Sequence, residues 1–176
     1  MPSSSRTTDK RKLLILDTGP IREMVTFRAV ELYGFERLRD DLQLIRDTDS
    51  YGRCSRFIAS FTRKTTSASV VAELNYWIRK TEPSGQERLW IRVYEEFREM
   101  AMDEEVVRLV EMASLGETGL ALLTRLGPVD VSLMGLARLH AKDGPLLLTT
   151  DDALCRECER ARVHASHLRD VTLMVR

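Results

Sequence analysis

A chain of 176 residues with 27 Lys and Arg against 27 Asp and Glu, 43% hydrophobic and 31% charged, has the balance of one soluble globular domain rather than two. Zero net charge excludes a wholly basic nucleic-acid binder, while leaving room for a basic patch set against an acidic centre. No apolar run approaches the roughly 20 residues of a membrane span, and residues 1–10 lack a signal-peptide stretch, so no membrane association and a cytoplasmic location are expected.

Residues 1–11 are polar, without period, and read as a flexible tail ahead of a single domain over 12–176. Leu13-Leu14-Ile15-Leu16 is a continuous apolar run closed by Asp17-Thr18-Gly19-Pro20, the pattern of a strand buried on both faces. A longer segment, about 28–64, follows without a recognisable motif. From Ser50 to Ala72 there is no acidic residue, and Arg53, Arg56, Arg63 and Lys64 interleave with Tyr51, Phe57 and Phe61. That patch reads either as a solvated hairpin or helix or as a surface for RNA. In a compact arrangement it is expected to sit near the acids discussed below.

Val70, Val71, Leu74, Trp77 and Ile78 share one helical face, and Gln86 to Met102 is a charged amphipathic helix. Val106 to Met112 fits a strand or a helix, and Glu117 to Leu126 a shorter helix. Leu133, Met134, Leu136 and Ala137 begin another, stopped by Gly144-Pro145. Leu146-Leu147-Leu148 repeats the first strand's design and closes in Thr149-Thr150-Asp151-Asp152, and Val171 to Val175 reads as a final strand. Alternating strands and helices predict an α/β fold: a three-layer α/β/α sandwich around a mainly parallel sheet.

In such sheets the ligand crevice lies at the carboxyl ends of the strands, where Asp17 and Asp151 fall. Glu73 lies on the apolar helical face, and a half-buried carboxylate needs a partner. Asp130 opens a helix and taken alone reads as its N-cap. Together the four suggest more, because carboxylates about 4 Å apart repel by about 4 kcal/mol per pair at an effective dielectric of 20. Hard divalent cations offset that repulsion, and magnesium keeps waters and room for phosphate oxygens. Such a site suits metal-assisted phosphodiester hydrolysis with no nucleophilic side chain.

Four motifs resemble the PIN domains, the family that includes the VapC toxins of toxin–antitoxin pairs. They are the strand ending in Asp17-Thr18, the run Thr66 to Leu74 with Glu73, the helix opening Asp130 to Ala137, and Leu148-Thr149-Thr150-Asp151-Asp152-Ala153-Leu154. The spacing of the last selects Asp151 over Asp152. The resemblance runs in order from about Lys12 to the end of the fold. It implies a magnesium- or manganese-dependent ribonuclease with Asp17, Glu73, Asp130 and Asp151 as catalytic metal ligands. Thr18, Thr149 and Asp152 would touch and orient them. It also implies RNA as substrate, a homodimer, and an antitoxin protein partner if the chain is a toxin. The 56 residues separating positions 17 and 73 exceed the spacing of a compact VapC toxin.

Cys155 and Cys158 have CxxC spacing, but only Cys54 could add a third thiol, so reduced helix-packing thiols are expected rather than a zinc site. His140, His164 and His167 fall outside the acidic motifs, and no GxSxG, GxGxxG or GxxxxGK[ST] occurs. Trp77, Trp90, Phe97, Met100 and Met102 read as core or interface residues. Two alternatives stay open: a catalytically silent PIN-like module that binds RNA or protein, and a phosphatase using Asp17 as nucleophile. The second wants another Asp where Gly19 stands.

Overall fold

The computed structural model describes residues 13–81, 86–107 and 117–173. Leu13 to Leu16 have no exposed surface, as a strand of uniform apolar character requires when helices cover both sides. This strand, β1 (Leu13–Leu16), leads into α1 (Thr18–Tyr33), a short 3₁₀ turn (Glu36–Asp41) and α2 (Thr48–Ala59). Then come β2 (Arg63–Ser67), α3 (Ala68–Thr81), α4 (Gln86–Met100) and β3 (Met102–Glu105). After α5 (Glu117–Leu126) and α6 (Pro128–Leu139), a second 3₁₀ turn (Ala141–Asp143) enters β4 (Leu146–Thr149), and the fold closes with α7 (Asp152–Arg160), β5 (Ala165–His167) and α8 (Leu168–Leu173).

The five strands are all parallel, in the order β3-β2-β1-β4-β5. Helices flank the sheet, giving the expected three-layer α/β/α sandwich. β1 is central: Leu14 pairs with Lys64 of β2 on one side and with Leu146 of β4 on the other. Trp77, Trp90 and Phe97 pack half-buried against the core and Met100 lies within it, as their helical spacing predicts, and Met102 packs there from β3.

Three expectations are corrected. Val171 and Thr172 belong to the helix α8, not to a strand, because Leu168, Val171 and Thr172 bury one helical face while Leu173 stays exposed; residues 174 and 175 lie outside the described residues. The closing strand is instead the three-residue β5. The helix expected to reach Met102 stops at Met100, where Ala101 turns left-handed (φ 49°) and releases the chain directly into β3. The tail over 1–11 and most of Val106 to Met112 fall outside the described residues.

The long segment after α1 is tied down by a residue that carried no motif. Glu23, buried in α1, accepts hydrogen bonds from the backbone N–H groups of Gln43, Leu44 and Ile45 at 2.9, 3.1 and 2.9 Å. Its charge is thus met by three amides. Further on, Asp47 caps α2 through a reciprocal capping box with Ser50. α4 is held by the buried Arg92, which pairs with Glu95, Glu96 and Glu99 at 2.7, 3.3 and 3.1 Å.

Candidate active site

The order in which the strands are laid down reverses at β1: β2 and β3 lie on one side, β4 and β5 on the other. The crevice between the carboxyl ends of β1 and β4 is therefore the switch point of the sheet, the usual ligand position in this architecture. Asp17 stands there. Its backbone N–H continues the β1–β4 ladder to the Leu148 carbonyl at 3.0 Å, and its side chain caps α1 by accepting from the Thr18 N–H at 2.6 Å. Its other oxygen accepts from the Thr149 hydroxyl at 2.6 Å, so a residue from β4 fixes a carboxylate from β1.

Thr149 is fully buried and serves twice, because its oxygen also accepts the Asp151 N–H at 3.0 Å. Asp151 caps α7, with Oδ1 accepting from the N–H groups of Ala153 and Leu154 at 2.5 and 3.2 Å. Thr18 is buried beside Asp17 and donates its hydroxyl to Glu73 Oε2. Glu73 itself is exposed, not half-buried as its helical face predicts, and its needed partner is that hydroxyl.

Asp130 is not an N-cap. Gly127, at φ 88°, opens α6 without a side-chain cap and puts Pro128 first, which leaves Asp130 in the first turn with its carboxylate unspent on capping. Asp152, beside the core acids, lies 3.7 Å from His167 and 3.6 Å from Arg169. Gly19 is required by close approach: a Cβ on it would overlap the Thr150 side chain, whose own Cβ would be 2.9 Å away. Rotating Thr150 would not relieve that contact, so the first turn of α1 and the turn after β4 meet only because Gly19 is bare.

The electrostatics are those of acids without a counterion. Burial pushes the Asp17 carboxyl up to about 6 against the pull of its Thr149 and Thr18 hydrogen bonds, with Glu73 and Asp151 adding repulsion. Burial, then Asp17, Asp151 and Glu73, raises Asp130 to about 7. All four acids are thus within electrostatic reach of one another. Among the described residues, no three His, Cys, Asp or Glu side chains are gathered tightly enough to form a ready metal cage. The donor chemistry nevertheless fits a hard divalent cation: every donor is a carboxylate oxygen, and no described cation pairs with Asp130.

Two of the four basic residues lie elsewhere. Arg63 and Lys64 begin β2, level with Leu13 and Leu14, at the amino end of the sheet and away from the acids at its carboxyl end. Arg63 pairs with Asp143 at 3.1 Å, Arg53 donates to the Thr172 carbonyl at 2.6 Å and so fastens α8, and Arg56 projects from the exposed face of α2. For Arg63 and Lys64 the expected nearness to the acids is therefore corrected: they begin a strand whose parallel direction carries them away from the carboxyl end.

Several supporting residues had no signature in the sequence. Thr66 donates to the Leu16 carbonyl at 2.7 Å, bracing the residue before Asp17. Ser67 and Ser132 meet at 2.8 Å; Ser67 accepts from the Val70 N–H and Ser132 reaches the Val129 carbonyl, joining the helix of Glu73 to that of Asp130. His167 bonds the Thr150 carbonyl through Nε2 at 2.8 Å while Nδ1 accepts the Arg169 N–H at 3.0 Å. Only small polar residues at the ends of apolar strands hint at the hydroxyls, and nothing marks His167. No protein-family model matches this sequence, and neither does any curated protein.

Proposed function

We propose that this chain is a metal-dependent endoribonuclease of the PIN-domain kind, cleaving RNA phosphodiester bonds at the carboxyl end of its sheet. The observation that carries the reading is that Asp130, Asp151 and Glu73 lie within electrostatic reach of buried Asp17 at the β1–β4 switch point, with no described basic residue paired to any of the four. Asp17, Glu73, Asp130 and Asp151 would hold magnesium or manganese. When bound, the ion supplies charge neutralisation for the phosphodiester and lowers the pKa of a water for attack.

The chain's own residues prepare that chemistry. Thr149 holds one oxygen of Asp17 and the backbone of Asp151 together, which sets the spacing of two ligands from neighbouring strands. The α7 amides fix Oδ1 of Asp151, and the Thr18 hydroxyl orients Glu73. Asp130, with a carboxyl raised to about 7 in the metal-free protein, would give up that proton as a cation binds, so metal uptake would release a proton near neutrality.

Labelled single-stranded RNA incubated with magnesium, manganese or a chelator tests the reading, with Asp17→Asn alongside. Metal-dependent cleavage, lost in the variant, is the expected result; cleavage retained by the variant removes Asp17 from the reaction. The absence of a tight preformed cage among the described residues favours, as a second reading, a silent module that binds RNA or protein. Calorimetric titration separates the two, since the nuclease must take up magnesium through Asp17. In its narrower form the proposal makes the chain a homodimeric toxin restrained by an antitoxin protein. Growth arrest on expression of the parent chain but not of Asp17→Asn is then expected.

A further inference from the structure

The helix that carries Glu73 continues past it with side chains that the fold does not use. Tyr76 stands one turn further along the same stripe of α3, where residues three apart have Cβ atoms about 5–6 Å from one another. It is 59% exposed, and its hydroxyl makes no hydrogen bond with a described residue, whereas the adjoining Trp77 packs against the core. Resting on the ribonuclease reading, we propose that Tyr76 is a stacking platform for a base of single-stranded RNA beside the scissile phosphate, with Lys80 and Arg79 taking the backbone phosphates next to that base.

Lys80 shapes the platform. Its Nζ lies over the Tyr76 ring, 4.3 Å from the centroid, so one face of the ring is covered by a cation and the other is left for a base. Helical side chains lean toward the amino end of their helix, which brings Lys80 back over Tyr76 and Tyr76 back toward the turn of Glu73. A ring already held by an ammonium loses less freedom when a ligand stacks on it.

Charge selects the occupant. Beyond Glu73, α3 reads Leu74-Asn75-Tyr76-Trp77-Ile78-Arg79-Lys80-Thr81, with two cations and no acid. Arg79 and Lys80 are both exposed, and neither pairs with a described acid. Within two turns the helix thus passes from a site acid to a positive end, with an exposed aromatic ring between them. A single strand of RNA matches that sequence of features: its phosphates suit the cations, and its unpaired bases present flat faces to the ring. A second copy of the chain fits less well, because a symmetric contact centred on Tyr76 would bring Arg79 and Lys80 of both copies together. Arg63 and Lys64, at the amino end of the sheet, have no such place beside a site acid.

Fluorescence anisotropy of a labelled oligouridylate, in chelator so that nothing is cut, tests the platform against an abasic strand of the same length. Tyr76→Ala should melt with the parent, because little of the side chain is buried, yet bind the RNA about 5-fold or more weakly and the abasic strand equally well. Tyr76→Phe, which keeps the ring, should bind as the parent does. Lys80→Ala should weaken both strands and reduce the salt slope by about 0.7. Equal RNA binding by Tyr76→Ala and the parent overturns the platform, as does a parent that binds no RNA in chelator, since stacking needs no metal. In either case, magnesium-dependent cleavage by the parent leaves the nuclease reading standing. A parent dimer in sedimentation that Tyr76→Ala separates also overturns the platform and gives the ring to a second copy. A parent that neither binds nor cleaves RNA overturns both.

Discussion

Asp17 is caught between opposite demands: the hydrogen bonds from Thr18 and Thr149 favour its charge, while burial and the neighbouring acids oppose it more strongly. Without metal, Asp17→Asn should therefore stabilise the fold at neutral pH by about 1–3 kcal/mol, the equivalent of its raised pKa, while abolishing cleavage. Urea denaturation in chelator measures the first effect. Thr149→Val keeps the volume but releases both Asp17 and Asp151, and should weaken magnesium binding by about 10–100-fold in a calorimetric titration. At this scale the four acids were legible because each stands at a strand end or in a helix next to a small polar residue. Ser132, Thr66 and His167 were not, because a hydrogen bond between residues distant in sequence leaves no local pattern.

Elements were legible where one kind of burial ran their whole length. β1 and β4, apolar on both faces, and α4, with its charged outer side, declare themselves. β2 and β3 do not: Arg63 to Ser67 and Met102 to Glu105 are polar segments made strands by pairing with each other and with β1. α8 misled through its β-branched Val171 and Thr172, whose helical conformation is set by packing on α2 and by the Arg53 bond to the Thr172 carbonyl. The segment between α1 and α2 hangs on Glu23. Glu23→Ala would leave three backbone amides without their acceptor and should destabilise the protein by about 2–4 kcal/mol, with proteolysis quickened between Gly34 and Asp47.

For the molecule as a whole, a cation that binds only the folded acids must raise its stability. If magnesium is that cation, at 100 times its dissociation constant it should contribute about 2.7 kcal/mol and, for a domain of this size, raise Tm by about 5–10 °C; Asp17→Asn should lose most of that rise. Alkali acts through the thiols. Burial pushes both Cys54 and Cys158 up to about 12, whereas the same thiols titrate near 9 when exposed. From pH 9 upward the unfolded chain sheds protons that the folded chain keeps, so stability should fall, by about 3 kcal/mol at pH 10, and hold steady below pH 8. Urea midpoints across this range check the slope, which replacing Cys54 and Cys158 by alanine should reduce but not abolish, because burial also pushes the Cys155 thiol up to about 11.

The central place of β1 has a consequence for synthesis. The strand made first needs as its neighbour β4, which begins at Leu146, and Asp17 cannot meet Asp151 until that late strand is inserted beside it. Before that strand is made, the chain carries three of the four acids but neither Asp151 nor the Thr149 brace. If the cluster cuts RNA, the nascent protein is harmless to its own message until most of it has left the ribosome. A fragment ending at Gly144 should accordingly cleave nothing, however much magnesium is supplied.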